Sequence, residues 1–229
     1  MPGDTLSAPP PSNPAPPPGT DDGYWSAHFA YDPARAAVWK ELAAEIQKDI
    51  PPSSRLLDIG AGYCYFVNHV QAQERHALDL DERIKNYAEP GVQTHVGACT
   101  KLDMFEDGSL DVVFASNIFE HLTRDEFEQT IGEVRRVLSP GGRIVIMQPN
   151  YRLCSKEYFD DYTHRTVFTD WSLSHWLQAR GFRILRMRPR FIPGDFRSSK
   201  PKWPWMVRLY LKLPYRPFAQ QMYCVAERS

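Results

Sequence analysis

Cysteine is scarce in this chain. Four occur among 229 residues, Cys64, Cys99, Cys154 and Cys224. They lie far apart, with no C-x-x-C pair and no histidine spacing suited to zinc. That excludes a disulfide framework and sets the expectation of no metal. Reduced thiols in a cytoplasmic protein are the reading they support, none a strong candidate nucleophile. Long hydrophobic runs are missing too: nowhere do eighteen apolar residues follow one another, which excludes a spanning helix of the usual kind. Charge of one sign is not in excess, since 27 Lys and Arg meet 28 Asp and Glu, so no general affinity for nucleic acid is expected. The start lacks a basic region followed by an apolar stretch, and no signal peptide is expected.

Large apolar residues are almost absent from residues 1–22, where eight positions are proline. Such a segment cannot bury enough surface to offset the entropy of ordering, so a disordered tail is expected there. The rest, 23–229, suits a single α/β domain.

Asp32-Pro33 caps a helix spanning Tyr24–Ile50, with Ala34, Val38, Leu42 and Ile46 recurring at helical spacing. Pro51-Pro52 ends it. Strands are expected at Arg55–Ile59, His76–Leu80, Gln93–Gly97, Leu110–Ser116 and Arg143–Gln148. Helices are expected at Tyr63–Ala72, Glu82–Ala88, Thr123–Leu138 and Trp171–Arg180, and two further strands at Phe182–Arg188 and Gln221–Glu227. Strand and helix alternating in this way argue a parallel sheet wound on both faces.

LLDIGAGYCYF, Leu56 to Phe66, places Gly60 and Gly62 where a buried strand hands over to the next segment. Glycine there allows positive φ and lets a ligand approach bare backbone. A merely tight turn would use the same residues. Asp79 follows about twenty residues on, a separation at which a carboxylate can hold a ribose. A helix cap is the alternative, for which Asp81 is better placed. The bulky Tyr63-Cys64-Tyr65 stands where a dinucleotide site wants a third glycine, so NAD fits poorly.

LLDIGAGYCYF, HALDLDE, LDVVFASNIFEHL and RVLSPGGRIVIMQPN, in that order, resemble the signatures of class I S-adenosylmethionine-dependent methyltransferases. The resemblance runs from about Tyr24 to the C-terminus. It implies a Rossmann-like, mostly parallel seven-stranded sheet with helices on both faces and an antiparallel C-terminal strand. It also implies S-adenosylmethionine as cofactor. Gly60, Ala61 and Gly62 would line its methionine part, Asp58 would help hold its ammonium, Asp79 its ribose, and Leu80 would pack on adenine. Ala98 and Cys99 would edge the ring, and Asn117 would lie near the reacting methyl. Two departures stand out: Ala98 lacks the acid many relatives carry, and Cys64 replaces their third glycine.

His164, in FDDYTHRTVFTD, and His121, in Phe119-Glu120-His121, are candidate catalytic residues. A loop histidine paired with Asp160 or Asp161, and a locally packed residue ahead of a helix, are their structural alternatives. Asp161 and Arg165 are candidate substrate contacts. Within 23–52, expected to form a lid, Tyr31, Arg35 and Trp39 fall on one helical stripe, so Tyr31 and Arg35 are also candidate substrate contacts. A salt-bridged surface over core aromatics reads equally well.

Between Arg183 and Phe218 there are ten Lys or Arg and one acid, Asp195. An insertion is expected at 190–219. Its stretch 200–218 interleaves Trp203, Trp205, Tyr210 and Tyr215 with cations, suiting a membrane interface or an anionic lipid-linked substrate. A folded cover over the sheet edge is the plainer reading, and single-stranded RNA the less favoured one. The function expected is methyl transfer, with a hydroxyl of a sugar, glycan precursor or similar polar metabolite as acceptor and a carboxylate or amine less favoured. The alternatives are a non-catalytic relative serving as a binding partner and, less favoured, an NAD-dependent oxidoreductase.

Overall fold

A computed structural model of the chain describes residues 31–194 and 203–229. The expected tail at 1–22 and the cations Lys200 and Lys202 lie outside the described residues. The chain divides into Met1–Tyr31, of which Tyr31 alone is described, and Asp32–Ser229, to which everything below belongs.

Helix α1 runs Pro33–Ile46, with Asp32 as N-cap accepting the Ala34 N–H at 2.9 Å and proline at the first helical position. A 3₁₀ turn, Gln47–Asp49, closes it. The expected helix from Tyr24 is therefore shorter within the described residues, and Tyr31 precedes it. Val38, Trp39, Leu42, Ala43 and Ile46 are buried. Trp39 stands edge-on to Phe66 and Phe114 with ring centres 6.4 Å away. Trp39 thus belongs to the core, and the stripe Tyr31–Arg35–Trp39 is not carried by one helix.

Seven strands follow: β1 Arg55–Ile59, β2 Glu74–Asp79, β3 Val92–Val96, β4 Leu110–Ser116, β5 Leu138–Pro149, β6 Phe182–Pro193 and β7 Ala219–Arg228. They form one sheet in the order β3-β2-β1-β4-β5-β7-β6. β1 to β5 pair in parallel, while β7 is antiparallel to both β5 and β6. The direction of winding reverses between β1 and β4, so a crevice opens beyond their carboxyl ends. β4 reads LDVVFAS and is nearly continuous in buried residues, as a strand covered on both faces should be.

One face packs on α3 (Arg124–Val137) and α5 (Asp170–Ala179) through Phe127, Ile131, Val134, Leu173 and Leu177. Thr123 caps α3 in a reciprocal pair with Glu126, and Thr169 caps α5. The other face is covered by α1 and by Phe66, Val67 and Val70. Short helices α2 (Ile84–Tyr87) and α4 (Tyr151–Cys154) and helix α6 (Pro204–Leu211) complete the fold.

No regular helix forms at Tyr63–Ala72, contrary to expectation. The segment is a run of turns. Gly62 and Cys64 both adopt left-handed conformations, at φ 50° and 57°. That interrupts the i to i−4 ladder, and the remaining bonds are irregular: Asn68 N–H to Cys64, and both His69 and Val70 N–H to Phe66.

Candidate functional site

The turn after β1 is fastened to its neighbour strand by main chain: the Gly60 and Ala61 N–H groups both donate to the Leu78 carbonyl, at 2.8 and 3.1 Å. Gly60 has φ 70°, and a side-chain carbon there would come 2.5 Å from Ile118 Cδ1. Gly62, at φ 50°, faces open space, with nothing within 4 Å of where such a carbon would lie. Both positions need glycine, for different reasons: Gly60 for packing and Gly62 for conformation and access.

Asp79 ends β2 beside this turn. Its carboxylate accepts the Gly62 N–H at 2.8 Å and the Asp81 N–H at 2.9 Å. Burial pushes its carboxyl above the ordinary carboxylate range, and these bonds hold it back. Asp81, the alternative cap, is instead engaged with the Arg83 N–H and guanidinium. Asp58, one residue before the end of β1, is buried, and desolvation with the nearby Asp79 charge raises its carboxyl well above the usual range. Two buried carboxyls close to one another at the ends of adjacent strands would both be relieved by a cationic ligand beside them.

Leu80 is 71% exposed at the rim. Ala98 is half-buried, and the Cys99 side chain is turned into the core, where Thr130 Oγ1 lies 3.5 Å from its sulfur. Only main chain of Cys99 is left to edge a ring. Asn117, also left-handed at φ 51°, donates its N–H to the Met147 carbonyl, and its Oδ1 accepts from Gln221 Nε2 at 2.9 Å. The structure therefore gathers Asp58, Gly60, Ala61, Gly62, Asp79 and Asn117 around the carboxyl ends of β1, β2 and β4. All four cysteines are buried free thiols, and burial pushes Cys64 and Cys224 up to about 12, so neither is a nucleophile at neutral pH.

Just past Asn117, residues Phe119–His121 form a 3₁₀ turn that meets the loop after α4. The Glu120 carbonyl accepts the N–H groups of Arg165 and Thr166, at 2.7 and 3.2 Å. His121 and His164 lie with ring centres 4.9 Å apart. His164 Nδ1 is 2.5 Å from the Tyr158 carbonyl. The Asp161 carbonyl accepts the His164 N–H at 3.2 Å, and its carboxylate takes the Thr163 hydroxyl at 2.6 Å and so positions a neighbour. Arg165 is drawn toward Glu126, at 3.8 Å. Arg35 is half-buried and its Nε has no hydrogen-bond partner.

Three contributors escape a reading of the sequence: buried Glu120, Thr163 and Gln148. The Gln148 amide is buried, with neither atom hydrogen-bonded. On β5 it shares with Ile144 and Ile146 the face that packs on α3. An amide amid an apolar strand end was the available signal, since an orphaned buried polar group is costly without a ligand.

Residues 57–146 match the family described as Methyltransferase domain. Malonyl-[acyl-carrier protein] O-methyltransferase of Methylococcus capsulatus is 30% identical over 194 residues, covering 76% of this chain and 70% of that protein. Demethylmenaquinone methyltransferase of Leptospira interrogans is 32% identical over 119 residues, 46% of this chain and 47% of that one. Among solved structures, a SAM-dependent methyltransferase from Archaeoglobus fulgidus superposes with a TM-score of 0.62 at 22% identity. That match covers 83% of this chain and 94% of the other.

Proposed function

The chain belongs to the class I S-adenosylmethionine-dependent methyltransferases, and on that premise we propose that its acceptor is a hydroxyl on a polar small molecule, of the kind a sugar or glycan precursor carries. It is an enzyme that uses S-adenosylmethionine as methyl donor. The crevice fits that group: two carboxyls await a cation, Gly62 exposes backbone to open space, and buried amide atoms of Gln148 and Gln221 lack partners. Bound there, S-adenosylmethionine supplies a methyl carbon already activated by a sulfonium. Asp58 would take its ammonium, Gly60 to Gly62 its methionine, Asp79 its ribose and Leu80 its adenine face, with Asn117 beneath the reacting carbon.

The protein's remaining tasks are to align an acceptor oxygen and to receive its proton. The observation that carries the hydroxyl reading is the polar cluster Glu120, His121, Asp161, Thr163 and His164 at the mouth beside Asn117. A hydroxyl loses a proton on methylation, and imidazoles at the mouth can take it. Incubation with methyl-labelled cofactor and fractionated cell extract tests the reading. Label in a base-stable ether on a polar metabolite supports it; label on nitrogen, or in an ester released by mild base, defeats it.

A peripheral membrane or lipid-linked contact through 203–218 extends the proposal. β6 and β7 bring both ends of the 194–218 segment to the rim that carries the crevice. Trp203, Trp205, Leu209 and Tyr215 are exposed, and Phe218 is 86% exposed in a left-handed conformation. Beside them a cavity of about 650 Å³ is lined by Arg188, Arg190 and Arg216 together with Glu45, which pairs with Arg188 at 3.1 Å and Arg216 at 3.6 Å and leaves an excess of positive charge. Cations under an aromatic rim suit an anionic amphiphile at a bilayer surface of a cytoplasmic enzyme. Among the described residues no helix is long and apolar enough to cross a membrane.

A further inference from the structure

Glu120, His121 and His164 each offer a metal-ligating atom, and the three atoms lie within 4.8 Å of one another. Hydrogen bonds behind the rings set both in the same tautomer. A carbonyl can only accept, so His164 Nδ1, 2.5 Å from the Tyr158 oxygen, carries its proton. Thr163 Oγ1 donates its one proton to Asp161 at 2.6 Å, and therefore accepts from His121 Nδ1 at 2.8 Å. In each ring Nε2 is the nitrogen with a lone pair for a ligand. A histidine whose other nitrogen donates to a carbonyl, or through a hydroxyl to a carboxylate, is arranged as metal-binding histidines are.

We propose that Glu120, His121 and His164 bind one divalent transition-metal cation at the mouth of the crevice. Two imidazoles and a carboxylate suit zinc, iron(II) or manganese and leave coordination positions open. Ligand atoms about 2.0–2.2 Å from an ion lie roughly 3–3.5 Å apart, so side-chain rotation closes the site. The cluster is held from below: the Glu120 carbonyl takes two N–H groups from the His164 loop, and the Thr166 hydroxyl donates to the Leu122 carbonyl at 2.6 Å. The cation displaces whatever protons the three side chains share. Histidine spacing along the sequence could not show this donor set, because His164 joins the adjacent Glu120-His121 pair from a distant loop.

Only the purpose of the ion rests on the hydroxyl reading: an open position would take the acceptor oxygen, whose proton, made more acidic by the cation, would leave to solvent, while without the ion the imidazoles receive it. Binding itself does not depend on it. The test is titration of the chelator-stripped full chain with Co²⁺, followed by visible absorption, and with Zn²⁺ by calorimetry. One equivalent should saturate it. His121→Ala and His164→Ala should each weaken binding about tenfold or more, and Thr163→Val, which removes only the support of His121, by about 10–100-fold. S-adenosylmethionine binding, measured on the same samples, reports an intact fold, and Glu120→Gln serves should an alanine variant fail to fold. No saturable binding by the wild-type chain, or binding that survives these variants, overturns the proposal. Metal binding without methylation of any hydroxyl would defeat the acceptor reading and leave the site standing.

Discussion

The Asp79 carboxylate accepts the Gly62 backbone N–H at 2.8 Å, joining the end of one strand to the turn that follows the neighbouring one. A single side chain thus shapes the turn and presents its remaining lone pairs to the crevice. Asp79→Ala should weaken S-adenosylmethionine binding by about 1–3 kcal/mol, the loss expected for a charged hydrogen-bond partner. Calorimetry reads this directly; unchanged affinity would place the ribose elsewhere.

Asp58 and Asp79 have carboxyls raised above their unfolded values. Within that window the native ligand-free chain holds protons that the unfolded chain has shed. Ligand-free stability is therefore best at the acid end and falls as pH climbs through the raised values. A cationic ligand expels those protons, so affinity should rise with pH over the same window, by up to about tenfold per unit for each proton released. Asp58→Asn should raise the melting temperature of the ligand-free protein by a few degrees, about 1 kcal/mol. It should also weaken the cofactor by about 10–100-fold. Thermal melts and calorimetry at several pH values check both signs.

Gly60 and Gly62 separate packing from access. Gly60→Ala drives a carbon into Ile118 and strains the turn, so it should cost about 2–3 kcal/mol of stability. Gly62→Ala meets nothing within 4 Å; it should cost only about 1–2 kcal/mol of stability from its left-handed backbone. Its methyl enters the space the cofactor needs, and binding should fall about tenfold or more. Equal effects on melting and on binding in both variants would contradict this division.

Trp203, Trp205 and Phe218 are exposed on one segment. Sedimentation with vesicles rich in anionic lipid should recover the wild-type chain, and replacing all three by alanine should reduce recovery about tenfold or more without altering cofactor affinity. Recovery independent of anionic lipid, or of these residues, would remove the membrane contact.

Strand positions were legible in the sequence because buried parallel strands leave apolar runs such as LDVVFAS, whose predicted span matches β4. The capped helix α3 was equally plain, since Thr123 and Glu126 announce it. The helix expected at Tyr63–Ala72 failed for a local reason: Cys64, a residue with no glycine-like freedom, still takes the left-handed conformation that its glycine counterparts adopt easily. Packing of Cys64, Phe66 and Val67 against the sheet overrides propensity there. Spacing marked Gly60, Gly62 and Asp79 as candidates, and the structure brings the Asp79 carboxylate to the Gly62 N–H. Glu120 and Thr163 could not, because their meaning comes from two loops meeting in space.

β7 lies between β5 and β6 and runs against both. A strand slotted in backwards obliges the polypeptide to leave the sheet and re-enter it on one side, the side on which the crevice opens. Leu211, buried against the α1 side of the core, and Arg216, which donates to the Phe191 carbonyl, anchor the excursion between Pro193 and Ala219, while Trp203, Trp205 and Tyr215 on it stay exposed. Those exposed side chains can be exchanged while the scaffold beneath them stays as it is.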